Sequence, residues 1–359
     1  MKRFVRPLLF VLLSLCALLA HAGEPPGQIA PYADRFGRSR PVVAVVGENS
    51  GTVLSDFVIP YGVLSQSGVA EVVSVSTAAG PMTLPPLRVQ ADRSTEEFDQ
   101  RFPDGADYVI VPAMEKNDDA SLLAWISAQA KKGATLISIC NGSLVLANAG
   151  LTRGHSATGH WSTHQMRVKK YPETRWLKNV RFVADGKIVS SAGITAAMPV
   201  SIALVAAIAG KERADELAQR LGVADWSTRH DSDAFGFSVM DGVTAARNKA
   251  LHGSEQVGVR VAPGVDEIGL AWQVEAYAAT LRGHVVSVAD AAGPVKTRGG
   301  LTLLPDRVGG IEKLDRVLPP LEATPPGRIL DLALKDIGAR YGERTLRLVL
   351  LEIEYPEPK

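Results

Sequence analysis

The stretch Ala134–Gly150, ATLISICNGSLVLANAG, decides the fold. It opens on a short apolar run, Leu136-Ile137-Ser138-Ile139, which is β-rich and too short for a helix. Cys140 follows, then Asn141-Gly142, then a helix-period segment stopped by Gly150. A strand that turns sharply into a helix with a nucleophilic residue at the turn is a nucleophile elbow. Gly142 stands where a side chain would crowd that turn. The free N–H groups and positive dipole end of the helix favour a thiolate, so a thiol of lowered pKa is expected at Cys140.

Outward from this stretch, strands and helices alternate. Pro41 to Val46, Val72 to Ser76 and Tyr108 to Val111 read as buried strands, and Leu87 to Asp92 as a short extra one. Val53 to Ser67, Ala120 to Lys131, Pro199 to Ile208 and Glu212 to Leu221 read as helices. Phe182 to Ser190 reads as a hairpin around Asp185-Gly186. This order predicts an α/β fold with a parallel sheet covered on both faces. From Ala224 to Gln256 the periodicity weakens, which predicts a linker at 224–255, packed on the first domain through Trp226, Phe235 and Phe237.

The chain then repeats itself. Val285-Val-Ser-Val-Ala-Asp-Ala-Ala-Gly-Pro294 mirrors Val72-Val-Ser-Val-Ser-Thr-Ala-Ala-Gly-Pro81. The helix from Asp266 mirrors the one from Asp56, and Ile329 to Ile353 mirrors Val200 to Leu221. The segment with the elbow and the hairpin has no counterpart. A truncated second copy is therefore expected at 256–356.

The 359 residues suffice for two domains, and an apolar content of 46% can build both cores. A net charge of +1 without long runs of one sign points away from nucleic acid. Lys2, Arg3 and Arg6, the apolar run Pro7 to Ala20 and Ala20-His21-Ala22 predict a signal peptide at 1–22, hence an exported, periplasmic protein with no stable membrane insertion after cleavage. The alternative is an anchor formed by the uncleaved segment. Of the two cysteines, Cys16 lies in that leader, so the mature chain would carry Cys140 alone.

Ile139 to Leu151, then Ala157-Thr-Gly-His160-Trp161, then Asp185 to Thr195 resemble the PfpI-like branch of the class I glutamine amidotransferase-like superfamily. The likeness is nearest to the amidase-like domain of AraC-type regulators and to isonitrile hydratases, and runs over most of 41–223. It implies a flavodoxin-like three-layer sandwich with Asp56 and His160 near the sulfur of Cys140. It also implies pairing, as a homodimer or as an intramolecular pseudo-dimer. The chain departs from the family at Asn141, where relatives carry His or Thr, and at Pro112-Ala113-Met114, where Pro-Gly-Gly is common. No helix-turn-helix pair follows the first domain.

The chemistry expected at this site uses Cys140 as nucleophile or sensor thiol, Asp56 as acid or base, and His160 as a base or the residue that orients one. Backbone N–H groups of Asn141 with Ala113 or Met114 would hold an oxyanion. His230-Asp231-Ser232 could close the site. No metal and no cofactor is expected, since His155, His160 and His164 lack an acidic ligand at a familiar spacing and Gly47 to Gly51 is not a phosphate loop. Two readings remain. One is an enzyme performing hydratase, hydrolase or lyase chemistry on a small carbon–nitrogen or carbonyl compound. The other is a non-catalytic module sensing a small ligand or an oxidant.

Overall fold

The computed structural model describes residues 28–321 and 324–356. The signal peptide expected at 1–22 lies outside the described residues. The first unit starts with β1 (Val42–Gly47), α1 (Leu54–Ser67) and β2 (Glu71–Ser76). A hairpin of β3 (Pro81–Leu84) and β4 (Leu87–Gln90) follows, then β5 (Arg93–Ser94) and α2 (Thr95–Arg101). Next come β6 (Tyr108–Val111), α3 (Ala120–Lys131), β7 (Thr135–Ser138) and α4 (Gly142–Asn148). After β8 (Ser156–Ala157), α5 (His164–Lys170) and β9 (Arg175–Trp176), the unit ends with β10 (Phe182–Asp185), β11 (Ile188–Ser191), α6 (Ala197–Ala209) and α7 (Lys211–Leu221).

The main sheet has the order β10-β11-β7-β6-β1-β2-β5. It is mixed, because β10 pairs antiparallel with β11 at one edge while the other pairs are parallel. Strand β1 shows why the sheet is buried on both faces. Val43 and Val45 face one core, while Val42, Ala44 and Val46 face the other, the period-2 alternation of a strand. Helices α1, α6 and α7 cover the first face; α3 and α4 cover the second. The chain leaves β1 toward β2 on one side and β6 lies on the other, so the C-terminal ends of β1 and β6 form a crevice.

The segment expected to be a linker contains α8 (Val239–His252), capped by a reciprocal box between Ser238 and Asp241. That S-x-x-D signal was readable in the sequence. Trp226 packs on the core and Phe235 stacks on Trp161, but Phe237 is exposed, contrary to expectation.

Beyond α8 lie β12 (Gln256–Arg260), α9 (Glu267–Ala278), β13 (His284–Ala289), β14 (Val295–Lys296), β15 (Thr302–Leu303), β16 (Arg307–Val308), β17 (Arg316–Val317), α10 (Pro326–Tyr341) and α11 (Glu343–Ile353). Their sheet has the order β16-β13-β12-β17. In the first unit the Asp92 carboxylate accepts from the Ser74 N–H (3.0 Å) and hydroxyl (2.7 Å); in this one Asp306 accepts from the Ser287 N–H (2.9 Å) and hydroxyl (2.6 Å). Gly210 divides α6 from α7 at φ 88°, ψ 161°, and Gly342 divides α10 from α11 at φ 81°, ψ 165°. One expected correspondence is shifted: Asp266 is the N-cap of α9, whereas the N-cap of α1 is Val53 and Asp56 lies inside its first turn.

The units meet along α1 and α9. Ser55 near the start of α1 donates its N–H to Glu275 near the end of α9 (3.0 Å), and Gln66 near the end of α1 donates to Glu267 at the start of α9 (2.9 Å), so the helices run antiparallel. At Gly62 a Cβ would come within 2.6 Å of Ile268, so glycine permits the close approach. With the sheet on one side and α9 on the other, α1 is apolar nearly all round and buried. The two hairpins join as well, β4 pairing with β15 in the sheet β14-β15-β4-β3. Among the described residues no helix is long and apolar enough to cross a membrane.

Candidate active site

Cys140 sits between β7 and α4 at φ 55°, a left-handed conformation that costs a non-glycine residue about 1–3 kcal/mol. Its N–H donates to the Ala192 carbonyl (3.0 Å), which ties the turn to the end of β11. At Gly142 a Cβ would lie 2.0 Å from the Val111 carbonyl oxygen, so α4 can start there only on glycine.

Asp56 reaches the same place from α1. It is fully buried, and its Oδ2 accepts the Ala113 N–H at 3.0 Å. Burial pushes its carboxyl well above the usual range, against that hydrogen bond, and the nearby Glu275 and Glu352 push it further. Both causes favour the protonated form of Asp56. Its proton belongs on Oδ1, which has no partner in the protein and is buried. The Ala113 N–H, expected to help hold an oxyanion, is taken by Asp56. Met114 forms an isolated bridge with Thr52.

The thiol is shifted the opposite way from the expectation. Burial pushes Cys140 well above its ordinary value; Asp56, Glu354 and Glu352 add repulsion, and the Asn141 N–H to the sulfur opposes them. The Asp56 contribution vanishes while Asp56 keeps its proton, so the pair is best described as thiol plus acid. Loss of water outweighs the N–H and the helix dipole at this turn, because Cys140 is only 5% exposed. At pH 7 Cys140 is expected to react with iodoacetamide more slowly than free cysteine, and its rate should still climb where a free thiol levels off, above about pH 8.5. A plateau below that pH would overturn the assignment.

His160 stands beside the site, buried, with both ring nitrogens committed. Nδ1 accepts from the Ser162 N–H (3.3 Å), which leaves Nε2 as the donor to the Glu352 carbonyl (3.0 Å). In this arrangement His160 holds the end of α11 and has no nitrogen left to take the thiol proton, which goes against the first of its two expected roles, that of base. Its loop is locked by Arg167, a buried guanidinium that donates to the carbonyls of Gly159 and His160 and to Thr163, whose hydroxyl donates to Asn141 (2.6 Å). Burial lowers the Arg167 pKa to about 10. His155 pairs with Asp185 and His164 lies half-buried in α5; among the described residues no cluster of three or more His, Cys, Asp or Glu could hold a metal.

Three acidic residues complete the surroundings from beyond the first unit: Glu275 on α9, Glu352 on α11 and Glu354 just after it. A cavity of about 880 Å³ opens against His160, Trp161, Glu275 and Glu352, with Pro85 and Leu348 in its apolar wall. Nothing in the spacing of these acids relative to Cys140 could have placed them there. His230 reaches the same region by pairing with Glu354 at 2.7 Å.

A model of the DJ-1/PfpI family matches residues 42–207. Those residues form a DJ-1/PfpI domain. The chain is 35% identical over 107 residues to isonitrile hydratase of Pseudomonas putida, covering 29% of this chain and 43% of that protein. It is 30% identical over 124 residues to the HTH-type transcriptional regulator CdhR of Pseudomonas aeruginosa, covering 34% of this chain and 37% of the regulator. Each match thus spans less than half the length of the relative. Among solved structures, Drosophila melanogaster DJ-1beta superimposes with a TM-score of 0.47 at 22% identity, over 52% of this chain and 100% of that one. Cys140, Asp56, Ala113 and His160 all fall inside the DJ-1/PfpI domain. Glu275, Glu352, Glu354 and His230 fall outside it.

Proposed function

We propose that this protein is an enzyme that uses Cys140 on a small carbonyl or carbon–nitrogen compound by hydratase, hydrolase or lyase chemistry. One observation carries the reading. A cysteine held at positive φ lies near a buried acid, Asp56, one of whose carboxyl oxygens, Oδ1, has no partner in the protein. In the first step the sulfur adds to the electrophilic carbon, forming the S–C bond as the carbon–heteroatom π bond breaks. Asp56 passes its Oδ1 proton to the heteroatom and takes the thiol proton in return, so the acid is regenerated. A thiol and a neutral acid need no preformed thiolate for this exchange, which suits the raised thiol. The Asn141 N–H is the donor on the sulfur side. The named activity of isonitrile hydratase is consistent with a carbon–nitrogen substrate.

The second reading, a ligand-binding module without turnover, draws on the committed His160 nitrogens and on the burial of the sulfur. A panel of small aldehydes, nitriles, isonitriles and amides separates the two. Turnover, or a mass adduct on wild type that Cys140→Ser lacks, is expected. Thermal stabilisation by a panel member with neither turnover nor adduct would favour the module.

The reading includes the second unit as a partial copy of the first, fused at 224–255. The repeated Ser–Asp locks, the two matched glycine breaks and the antiparallel α1–α9 contact support it. Because α1 already spends its outer face on α9, the protein is expected to sediment as a monomer. A homodimer dissociated by a charge placed on α1 would contradict the pseudo-dimer.

A further inference from the structure

Glu354 is a heavily engaged acid near the Cys140 turn. Its side chain is fully buried. One carboxylate oxygen accepts the N–H groups of Gly193 (2.8 Å) and Trp161 (3.1 Å), and the other meets His230 Nε2 at 2.7 Å. Its own carbonyl accepts the Thr195 hydroxyl at 2.7 Å. Its backbone is left-handed, at φ 54°, so it and Cys140 are two of four non-glycine residues with positive φ among those described. The two are adjacent in space: the Ala192 carbonyl takes the Cys140 N–H, and the next residue, Gly193, supplies an N–H to Glu354. A strained residue persists only where its surroundings over-determine it.

Two converging backbone N–H groups and a histidine form the donor set that recognises a carboxylate. Two of these donors come from loops of the DJ-1/PfpI domain that flank the reacting turn. The carboxylate comes from a segment outside that domain. On the far side of Glu354 a cavity of about 650 Å³ opens, with His230, Thr195 and Glu354 in its wall and Arg181 and Arg229 there paired with Asp225, so that His230 is the donor it reaches. We propose that Trp161 N–H, Gly193 N–H and His230 form a carboxylate-binding pocket that the chain fills with its own Glu354, and that a small carboxylate-bearing ligand displaces this plug beside Cys140. The pocket stands on its own geometry; the consequence for reactivity rests on the reading of Cys140 as the reacting thiol.

Glu354 is one of the charges that raise the Cys140 thiol, so removing its carboxylate should relieve repulsion on the sulfur, and a carboxylate bound in its place should restore that repulsion. Tethering gives Glu354 a high effective concentration, so free carboxylates compete poorly in the wild type and bind readily once the side chain is removed.

The experiment uses the full chain as Glu354→Ala, with sodium acetate as probe and sodium chloride and acetamide as controls. The variant is expected to melt below the wild type. Acetate should restore the melting temperature saturably, while chloride at equal ionic strength and neutral acetamide should not. Alkylation of Cys140 should speed up several-fold in the variant and slow again with acetate. The melting arm is repeated in Cys140→Ser/Glu354→Ala, where no reacting thiol exists: saturable rescue there supports the pocket even if the enzymatic reading fails. Acetate acting no differently from chloride overturns the pocket. Rescue without any change in alkylation overturns the link to Cys140. If Glu354→Ala does not fold, Glu354→Gln keeps the shape without the charge, and alkylation no faster than in the wild type overturns the plug.

Discussion

Gly142→Ala is expected to destabilise the protein by about 3 kcal/mol or more, the upper range for forcing atoms into a packed interior. The added Cβ would stand 2.0 Å from the Val111 oxygen and 2.9 Å from the Pro112 carbonyl carbon. These are backbone atoms of the central β6 edge, so no side chain can rotate away. Either α4 withdraws, which moves Cys140, or the crevice beside β6 opens. The melting temperature should fall by roughly 4 °C or more for a chain of this size. Gly236→Ala is the control, since a Cβ there meets nothing within 4 Å. If the two variants unfold alike in urea, the packing account of the turn is wrong.

Glu275→Gln should stabilise the protein, and only above acid pH. Burial raises the Glu275 carboxyl from 4.5 to about 7, against its hydrogen bonds from Ser55, and Glu352 adds to the rise. Below about pH 4.5 the folded and unfolded chains both hold the proton, and the glutamate costs nothing. Between pH 4.5 and 7 the unfolded chain releases its proton while the folded chain keeps it, so stability is lost at about 1.4 kcal/mol per pH unit. Above pH 7 both are ionised and the loss is constant. The full effect is about 3.5 kcal/mol, or about 2–3 kcal/mol once water in the cavity that Glu275 lines is allowed for. Glutamine keeps the acceptor for the Ser55 N–H and carries no charge, so the variant should match the wild type at pH 4 and exceed it at pH 8. Asp56→Asn should behave in the same sense, because that carboxyl is also raised by burial. Urea midpoints at the two pH values measure both. A gain in stability equal at pH 4 and pH 8 would exclude titration as the cause.

If these substitutions stabilise the protein as expected, the acids are kept for something other than stability. Asp56 and Glu275 lie on the antiparallel helices α1 and α9, one in each unit, and they converge because those helices pack together. The site is thus assembled across the contact between the units. The DJ-1/PfpI domain supplies sulfur, acid and turn, and the second unit supplies the negative charge around them.

Local sequence determined what local physics controls. β1 is a strand because its Val-rich run can be buried on both faces. α3 ends at Lys131, just ahead of Gly133, as expected from the glycine stop. Gly142 is required because any Cβ meets β6. The VVSV segments at 72–75 and 285–288 each form a parallel strand, and Gly210 and Gly342 each end one helix and start the next. Each of these follows from steric or periodic rules within a few residues. Tertiary structure alone decided the rest. The thiol is raised because water is excluded from it, and that exclusion depends on α1, α6 and the segment after α11 closing together. His160 is committed because Ser162 and the end of α11 claim its two nitrogens. Glu275 and Glu354 reach the site through helix packing and a left-handed turn. Charges act through space with a strength set by burial, and neither the distance nor the burial is written in the spacing of residues along the chain.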